Sequence, residues 1–180
     1  VHIAICGELG AGCTEVAEIL SKMLGMNFIN SASIIRGIVV DFRGVHPGES
    51  FSEFERHVLS GEVDLDMMIA SKIDELLEQA DTIVEGRSAL MLLNKNGVFK
   101  VLLVASTEIR AKHVAKRRKI TTEEAIEALN VSDTERGHMV EKLLKKDWRD
   151  LHLYDLIINT GLRSHQEVAE FICETVQKKR

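Results

Sequence analysis

The stretch GELGAGCT, residues 7–14, places Gly7, Gly10 and Gly12 directly after the apolar run HIAIC. Glycines at that spacing let backbone N–H groups converge on an anion, and a helix opening near Cys13 adds its positive dipole end. The pattern GxxxxGK[ST] is met at Gly7, Gly12 and Thr14, with Cys13 where the lysine would stand. The candidate phosphate-binding residues are Gly7, Leu9, Gly10, Ala11, Gly12, Cys13 and Thr14. An ordinary strand-to-helix turn, using glycine for close packing, is the plainer alternative. A dinucleotide fingerprint is disfavoured, because the spacing is not GxGxxG. Cys13 is either a thiol activated by the helix terminus or an inert small residue that fits the turn.

Transfer between two phosphate-bearing molecules needs fixed guanidinium groups, because arginine offers oxyanions a planar, bidentate donor array. Arg87 directly follows the apolar segment TIVEG, Arg36 lies in NSASIIRG, and Arg110 opens the segment after VFKVLLVAS. Arg136 falls in NVSDTERG, which interrupts two apolar helical stretches and is expected to be a polar break. Glu85, beside Arg87, either orients a magnesium ion together with the Thr14 hydroxyl or merely pairs with Arg87. The basic run RAKHVAKRRK, residues 110–119, fits a solvated helix face. A nucleic-acid patch would need stacking aromatics that it lacks.

These residues must be positioned by elements that alternate between apolar strands and amphipathic helices. HIAIC, a short run at Phe28–Ile29, TIVEG, VFKVLLVAS and LYDLIINT predict strands. Val16, Ile19, Leu20, Met23 and Leu24 recur at helical spacing up to Gly25, which is placed to end that helix. A helix is expected near residues 33–42, followed by a loop at GVHPGES. A longer one is expected over residues 63–80, with Ile69, Ile73, Leu76 and Ala80 on one face. Ser50 with Glu53, Thr121 with Glu124, and Ser164 with Glu167 predict capping boxes, and Thr107 a further cap. Val168, Ile172 and Val176 mark the last helix. Such alternation implies right-handed βαβ units and a parallel sheet, with ligands beyond the carboxyl ends of the strands.

Composition bounds the remaining classes. The 180 residues suffice for one domain with a sizeable core, and only 4% are aromatic, which disfavours a β-sandwich. Lysine plus arginine number 23 against 28 acids, a net charge of −5. That balance still allows local phosphate sites. No apolar run approaches the ~20 residues of a membrane span. Three cysteines without CxxC spacing fit a reducing compartment, so a cytoplasmic location is expected. The opening strand leaves no room for a signal peptide, although the first residue is Val1 rather than methionine. The seven histidines show neither HExxH nor zinc spacing.

Together these segments resemble the cytidylate kinase-like branch of nucleoside monophosphate kinases, collinearly from IAICGELGAGCTEVAEIL to YDLIINTGLRSHQEVAEFI. GELGAGCTEVA resembles that branch's glycine loop, NSASIIR its acceptor-binding segment, and VEGRSA its (E/D)GR motif. STEIRAKHVAKR resembles the helix bordering the lid, and DTERGHMV the DxxR lid motif. The resemblance implies a P-loop kinase three-layer α/β fold, with a five-stranded parallel sheet flanked by helices. The core would be residues 1–30, 81–118 and 150–180, with an acceptor-binding insert at 31–80 and a lid at 119–149. It implies ATP-dependent phosphorylation of CMP or dCMP with Mg2+. A non-catalytic nucleotide-binding module, or a kinase of another small acceptor, are the alternatives. It assigns Arg87, Arg110, Arg117 and Arg136 to catalysis, and Ser31, Arg36, Asp64, Gly86 and Arg87 to the acceptor. Thr14 and Glu85 fall to the metal. The implied cofactors are ATP and Mg2+, and the partners are a nucleoside triphosphate and a monophosphate, with no nucleic acid and no membrane. Departures from the family pattern are Cys13, Asn30, Ser88, Met139 and Val140.

Overall fold

In the computed structural model, which describes residues 1–48 and 50–178, five strands form one parallel sheet in the order β2-β3-β1-β4-β5. The strands are β1 (His2–Gly7), β2 (Asn27–Asn30), β3 (Thr82–Glu85), β4 (Val98–Val104) and β5 (Leu156–Asn159). Successive side chains of β1 point to opposite faces, as the pleat requires. Ile3 and Ile5 pack with Val16 and Leu20 of α1 (Cys13–Leu24) and with Val168 and Ile172 of α8 (His165–Gln177). Ala4 and Cys6 face the other layer. There Ile34 and Ile38 of α2 (Ser31–Val45), Ile73 of α4 (Leu65–Gln79) and Val140 of α7 (Thr122–Leu144) close the core. The short helices α3 (Phe51–Leu59) and α5 (Arg87–Leu90) complete that side. A third cluster, Ala111, Val114, Ala125 and Leu129, joins α6 (Thr107–Arg118) to α7 and includes Leu9 of the glycine loop.

The register brings the functional ends together. Ile5 of β1 and Asn30 of β2 both pair with Glu85, and Gly7 pairs with Leu103. The glycine loop, the start of α2 and the β3–α5 turn therefore open together at the carboxyl ends of the strands.

Gly25 ends α1 in the left-handed region (φ 64°), and the three expected capping boxes are present. Several boundaries differ from the sequence reading. Ser106, not Thr107, caps α6 by accepting the Ile109 N–H; adjacent hydroxyls offered no way to choose. The second helix starts at Ser31, capped by Asn30, and absorbs Gly44 and Val45 of the expected loop. Helix α4 begins at Leu65 and buries Ile73 and Leu77 rather than Leu76 and Ala80. The expected break at NVSDTERG is absent, and α7 runs unbroken through it. Its polar residues Ser132 and Arg136 are buried toward the site, so polarity there marks an inward face and not a loop. Among the described residues no helix is long and apolar enough to cross a membrane.

Candidate active site

The glycine loop is held open by backbone geometry that side chains would destroy. Gly10 and Gly12 both adopt φ 85°. A Cβ on Gly10 would lie 2.7 Å from the Arg110 carbonyl oxygen, and one on Gly12 would lie 2.6 Å from His165 Nε2. Gly12 gives α1 no side-chain cap, so the amides of its first turn remain available to an anion.

Three struts brace this loop from outside. Thr160, just past β5, donates its hydroxyl to the Ala11 carbonyl at 2.9 Å. His113 Nδ1 lies 2.9 Å from the Gly10 carbonyl, which can only accept, so this nitrogen carries the proton. Arg110 donates Nε to the Leu9 carbonyl at 2.9 Å and grips both oxygens of Asp133 at 3.2 and 2.7 Å. Glu8 approaches Arg110 to 3.6 Å and also accepts from the Ala105 N–H. Arg149 then reaches Glu8 at 3.2 Å and Asp133 at 3.0 Å, closing a two-arginine, two-carboxylate quartet. Arg110, named from sequence as catalytic, has its guanidinium filled by these partners and is only 3% exposed.

Cys13 does not face the ligand side of the loop. A Cβ on Gly7 would lie 2.2 Å from its Sγ, so the thiol is tucked over that glycine. Burial, with the Glu85 charge adding to it, pushes the thiol up to about 12. It stays protonated at neutral pH, which decides against the activated-thiol alternative: desolvation outweighs the helix dipole.

Two cavities flank the loop. One, of about 440 Å³, is lined by Gly10, Gly12, Glu15, His113, Lys116, Arg117 and His165. The other, of about 490 Å³, lies over the ends of β2 and β3 and includes Ser31, Asp66, Glu85, Gly86, Arg87, Ser88 and Met139. Gly86 holds φ 81° and ψ −145°, a conformation only glycine adopts readily, and turns Arg87 into this cavity. Ser31 and Ser88 share a hydroxyl–hydroxyl bond of 2.9 Å. Asn30 spends its side-chain oxygen on the Ser33 N–H as the cap of α2.

Glu85, in the wall of the second cavity, interacts with Thr14 and with Arg136. Burial raises the Glu85 carboxyl above its ordinary value, while a hydrogen bond from Thr14 and the Arg136 charge pull it down. A hydroxyl and a carboxylate, both oxygen donors, suit Mg2+, which takes one or two such ligands and completes its shell with water and phosphate. The alternative of a Glu85–Arg87 pair is not what forms, because Arg87 is ion-paired with Glu135 of α7. Arg136 donates to the Ser132 hydroxyl and, at 3.3 Å, to its carbonyl; its Nε is buried with no partner among the described residues.

Outside the glycine loop, four residues named from sequence line neither cavity: Arg110 and Arg136, whose partners are given above, and Arg36 and Asp64. Arg36 lies on the exposed face of α2, outside the lining, where Ile35 is the residue that contributes. Asp64 caps α4 by accepting the Met67 N–H, and Asp66, two residues on, lines the acceptor-side cavity instead. Glu8, Lys116, Arg149, Thr160 and His165 were missed. Only the spacing of Arg110, His113 and Arg117 at i, i+3 and i+7 signalled that one face of α6 meets the loop.

A phosphate-type glycine loop after the first strand, with a parallel sheet of this order, defines the P-loop kinase fold. A chain with a solved crystal structure, an uncharacterized protein from Eubacterium ventriosum, superposes with TM-score 0.74 at 15% identity, covering 99% of this chain and 98% of that one. Shikimate kinase from Acinetobacter baumannii, solved in complex with shikimate, gives TM-score 0.58 at 16% identity over 99% and 94% of the two chains. The chain belongs to the cytidylate kinase-like family, whose sequence profile matches residues 2–162. The cytidylate kinase of Methanothrix thermoacetophila is 31% identical over 159 residues, 88% of each chain. Membership of this family implies use of nucleotides.

Proposed function

We propose that this protein transfers the γ-phosphoryl group of ATP to a nucleoside monophosphate, with CMP or dCMP the preferred acceptor. The observation that carries this reading is the adjacency of two sites. An amide-lined glycine loop opens beside a cavity containing Arg87, with Thr14 and Glu85 at the seam.

Amides of the loop 7–14 other than those of Glu8 and Ala11, which already donate to the Leu103 and Glu8 carbonyls, would hold the β-phosphate, with Lys116 and Arg117 adding positive charge at the loop cavity. Thr14 and Glu85 would hold Mg2+, which when bound neutralises charge between the β- and γ-phosphates. Arg87 would grip the acceptor's phosphate by exchanging Glu135 for it, and Ser31 and Gly86 would line that pocket. The new bond joins the acceptor's phosphate oxygen to the γ-phosphorus as the bond to the β–γ bridging oxygen breaks. No covalent enzyme intermediate is needed, and the protein acts by positioning and electrostatics. Residues 31–80 serve as the acceptor-binding insert. Residues 119–149 serve as the lid, whose closure keeps water from the phosphoryl group.

A second reading, a nucleotide-binding module without transfer, is favoured by one feature, the buried thiol of Cys13 where a lysine would stand. Calorimetric titration with ATP and a panel of nucleoside monophosphates, paired with coupled turnover, separates the two. Turnover highest with CMP or dCMP is the expected result. Tight ATP binding with no transfer to any monophosphate would establish the module instead.

A further inference from the structure

We propose that Thr160 and His113 are positioning residues that lock the peptide planes of the glycine loop, keeping its free amides aimed at an anion without a lysine's help. The inference rests on the reading of this loop as the ATP-phosphate site and deepens it; transfer to a monophosphate is not required.

In a trans peptide unit the C=O of one residue and the N–H of the next point in opposite directions, so a tether on the carbonyl aims the amide. The carbonyls of Leu9, Gly10 and Ala11 accept no main-chain N–H among the described residues. Each meets a side chain instead: Leu9 meets Arg110 Nε, Gly10 meets His113 Nδ1 and Ala11 meets the Thr160 hydroxyl, all at 2.9 Å. The His113 tether turns the Ala11 N–H the other way, where the Glu8 carbonyl accepts it at 3.0 Å and closes the turn. The Arg110 and Thr160 tethers act on the units ahead of Gly10 and Gly12. The N–H groups of those two glycines have no acceptor among the described residues. Both glycines line the cavity of about 440 Å³.

These two units need a tether because a glycine follows the carbonyl in each. Rotating the Leu9–Gly10 or the Ala11–Gly12 unit changes the φ of a glycine, the residue that resists such a change least. A rotated unit would present a carbonyl oxygen where the amide had been, and an anion would be repelled. Thr160 is a firm anchor, 8% exposed and with its own N–H donated to the Val104 carbonyl at 2.9 Å. Its hydroxyl lies 3.3 Å from that same carbonyl, yet it has one proton to give, and Ala11 offers the shorter bond. Arg110 also serves the charged quartet, so its removal would not report on the loop alone. Thr160 and His113 are the separable tethers.

Inorganic tripolyphosphate, which has neither base nor ribose, isolates the loop. It is titrated by calorimetry, beside ATP and CMP, into the wild type, T160V, T160S, H113L and H113N. Thr160→Val keeps the shape and removes the donor. It is expected to weaken tripolyphosphate and ATP binding about tenfold, the scale of one hydrogen bond to a charged group, while T160S recovers to within about twofold of wild type. His113→Leu loses about fivefold, and H113N, whose amide nitrogen can stand in for Nδ1, recovers most of it. CMP affinity stays within about twofold throughout. A merely structural role would lower the melting temperature of T160V and leave the affinity of the folded protein unchanged. Tripolyphosphate affinity within about twofold of wild type in T160V or H113L, equal losses in T160V and T160S, or an equal loss for CMP would overturn the proposal. Should T160V not fold, H113L and H113N decide it. A wild type that binds neither tripolyphosphate nor ATP overturns this proposal and the phosphate reading together, whereas ATP binding without transfer to any monophosphate sinks the transfer reading alone.

Discussion

The glycine loop and the acceptor-side cavity lie side by side but are held by different kinds of contact. Around the loop, Arg110, Asp133, Glu8 and Arg149 form a largely buried charged quartet, and Thr160 and His113 pin two loop carbonyls. Around the cavity the charged contacts are half-exposed pairs, Arg87 with Glu135 and Lys142 with Asp66. Buried networks lose several kcal/mol when one partner is removed, whereas exposed pairs contribute ~0–1 kcal/mol. The donor side is therefore built in advance, and the acceptor side is held by contacts that a ligand can exchange.

The sharpest way to break this contrast is Arg110→Ala, which leaves the largely buried Asp133 and Glu8 with only the half-exposed Arg149 as cation. It should cost about 2–3 kcal/mol of stability in denaturant unfolding, below the ~3–5 kcal/mol of a fully orphaned buried charge because Arg149 remains. Arg87→Ala should do the reverse. Unfolding stability stays within about 0.5 kcal/mol, as for an ordinary surface change, while kcat/KM for the monophosphate falls by about 10²–10³. Equal stability losses in the two variants would erase the distinction.

Glu85 sits on the seam and tests it through pH. Its carboxyl is raised above the ordinary 4.5 by burial, so in the window above 4.5 the folded chain holds this proton more tightly than the unfolded chain does. Stability from this group is present below that window and is lost as pH rises through the folded pKa. Glu85→Gln should therefore be more stable than wild type at pH 7, with the advantage shrinking toward acid in thermal melts. The same variant should bind Mg2+ at least about tenfold more weakly by calorimetry.

The smallest effect belongs to Glu135→Gln. Releasing Arg87 from its carboxylate should lower the acceptor KM by up to about fivefold with little change in stability, as expected of an exposed pair. A raised KM would mean that Glu135 orients Arg87 instead of competing for it.

Much of the loop was legible because its constraints are local. Gly10 and Gly12 need positive φ within the turn itself, and HIAIC could be read as buried without knowledge of its neighbours. The capping boxes were legible for the same reason. What the sequence hid depends on contacts across the chain. Arg149 meets Glu8 141 residues away, and Thr160 meets Ala11 149 residues away, with no local pattern to announce either. NVSDTERG was misread because polarity within a helix can mean an inward-facing site as readily as a turn. Asp64 and Asp66 show the finest limit: a two-residue offset at a helix start separates a cap from a cavity wall.

Helix α7 has 23 residues, about 35 Å of unbroken rise. It carries Ser132, Asp133 and Arg136 on the donor side and Glu135 and Lys142 on the acceptor side. On the proposed function, one rod with both sets of handles would couple the two occupancies thermodynamically. Whatever factor ATP contributes to the acceptor's affinity, the acceptor must return to ATP in equal measure. Synergism between the two ligands would then be, on the proposed function, a property of one helix's continuity.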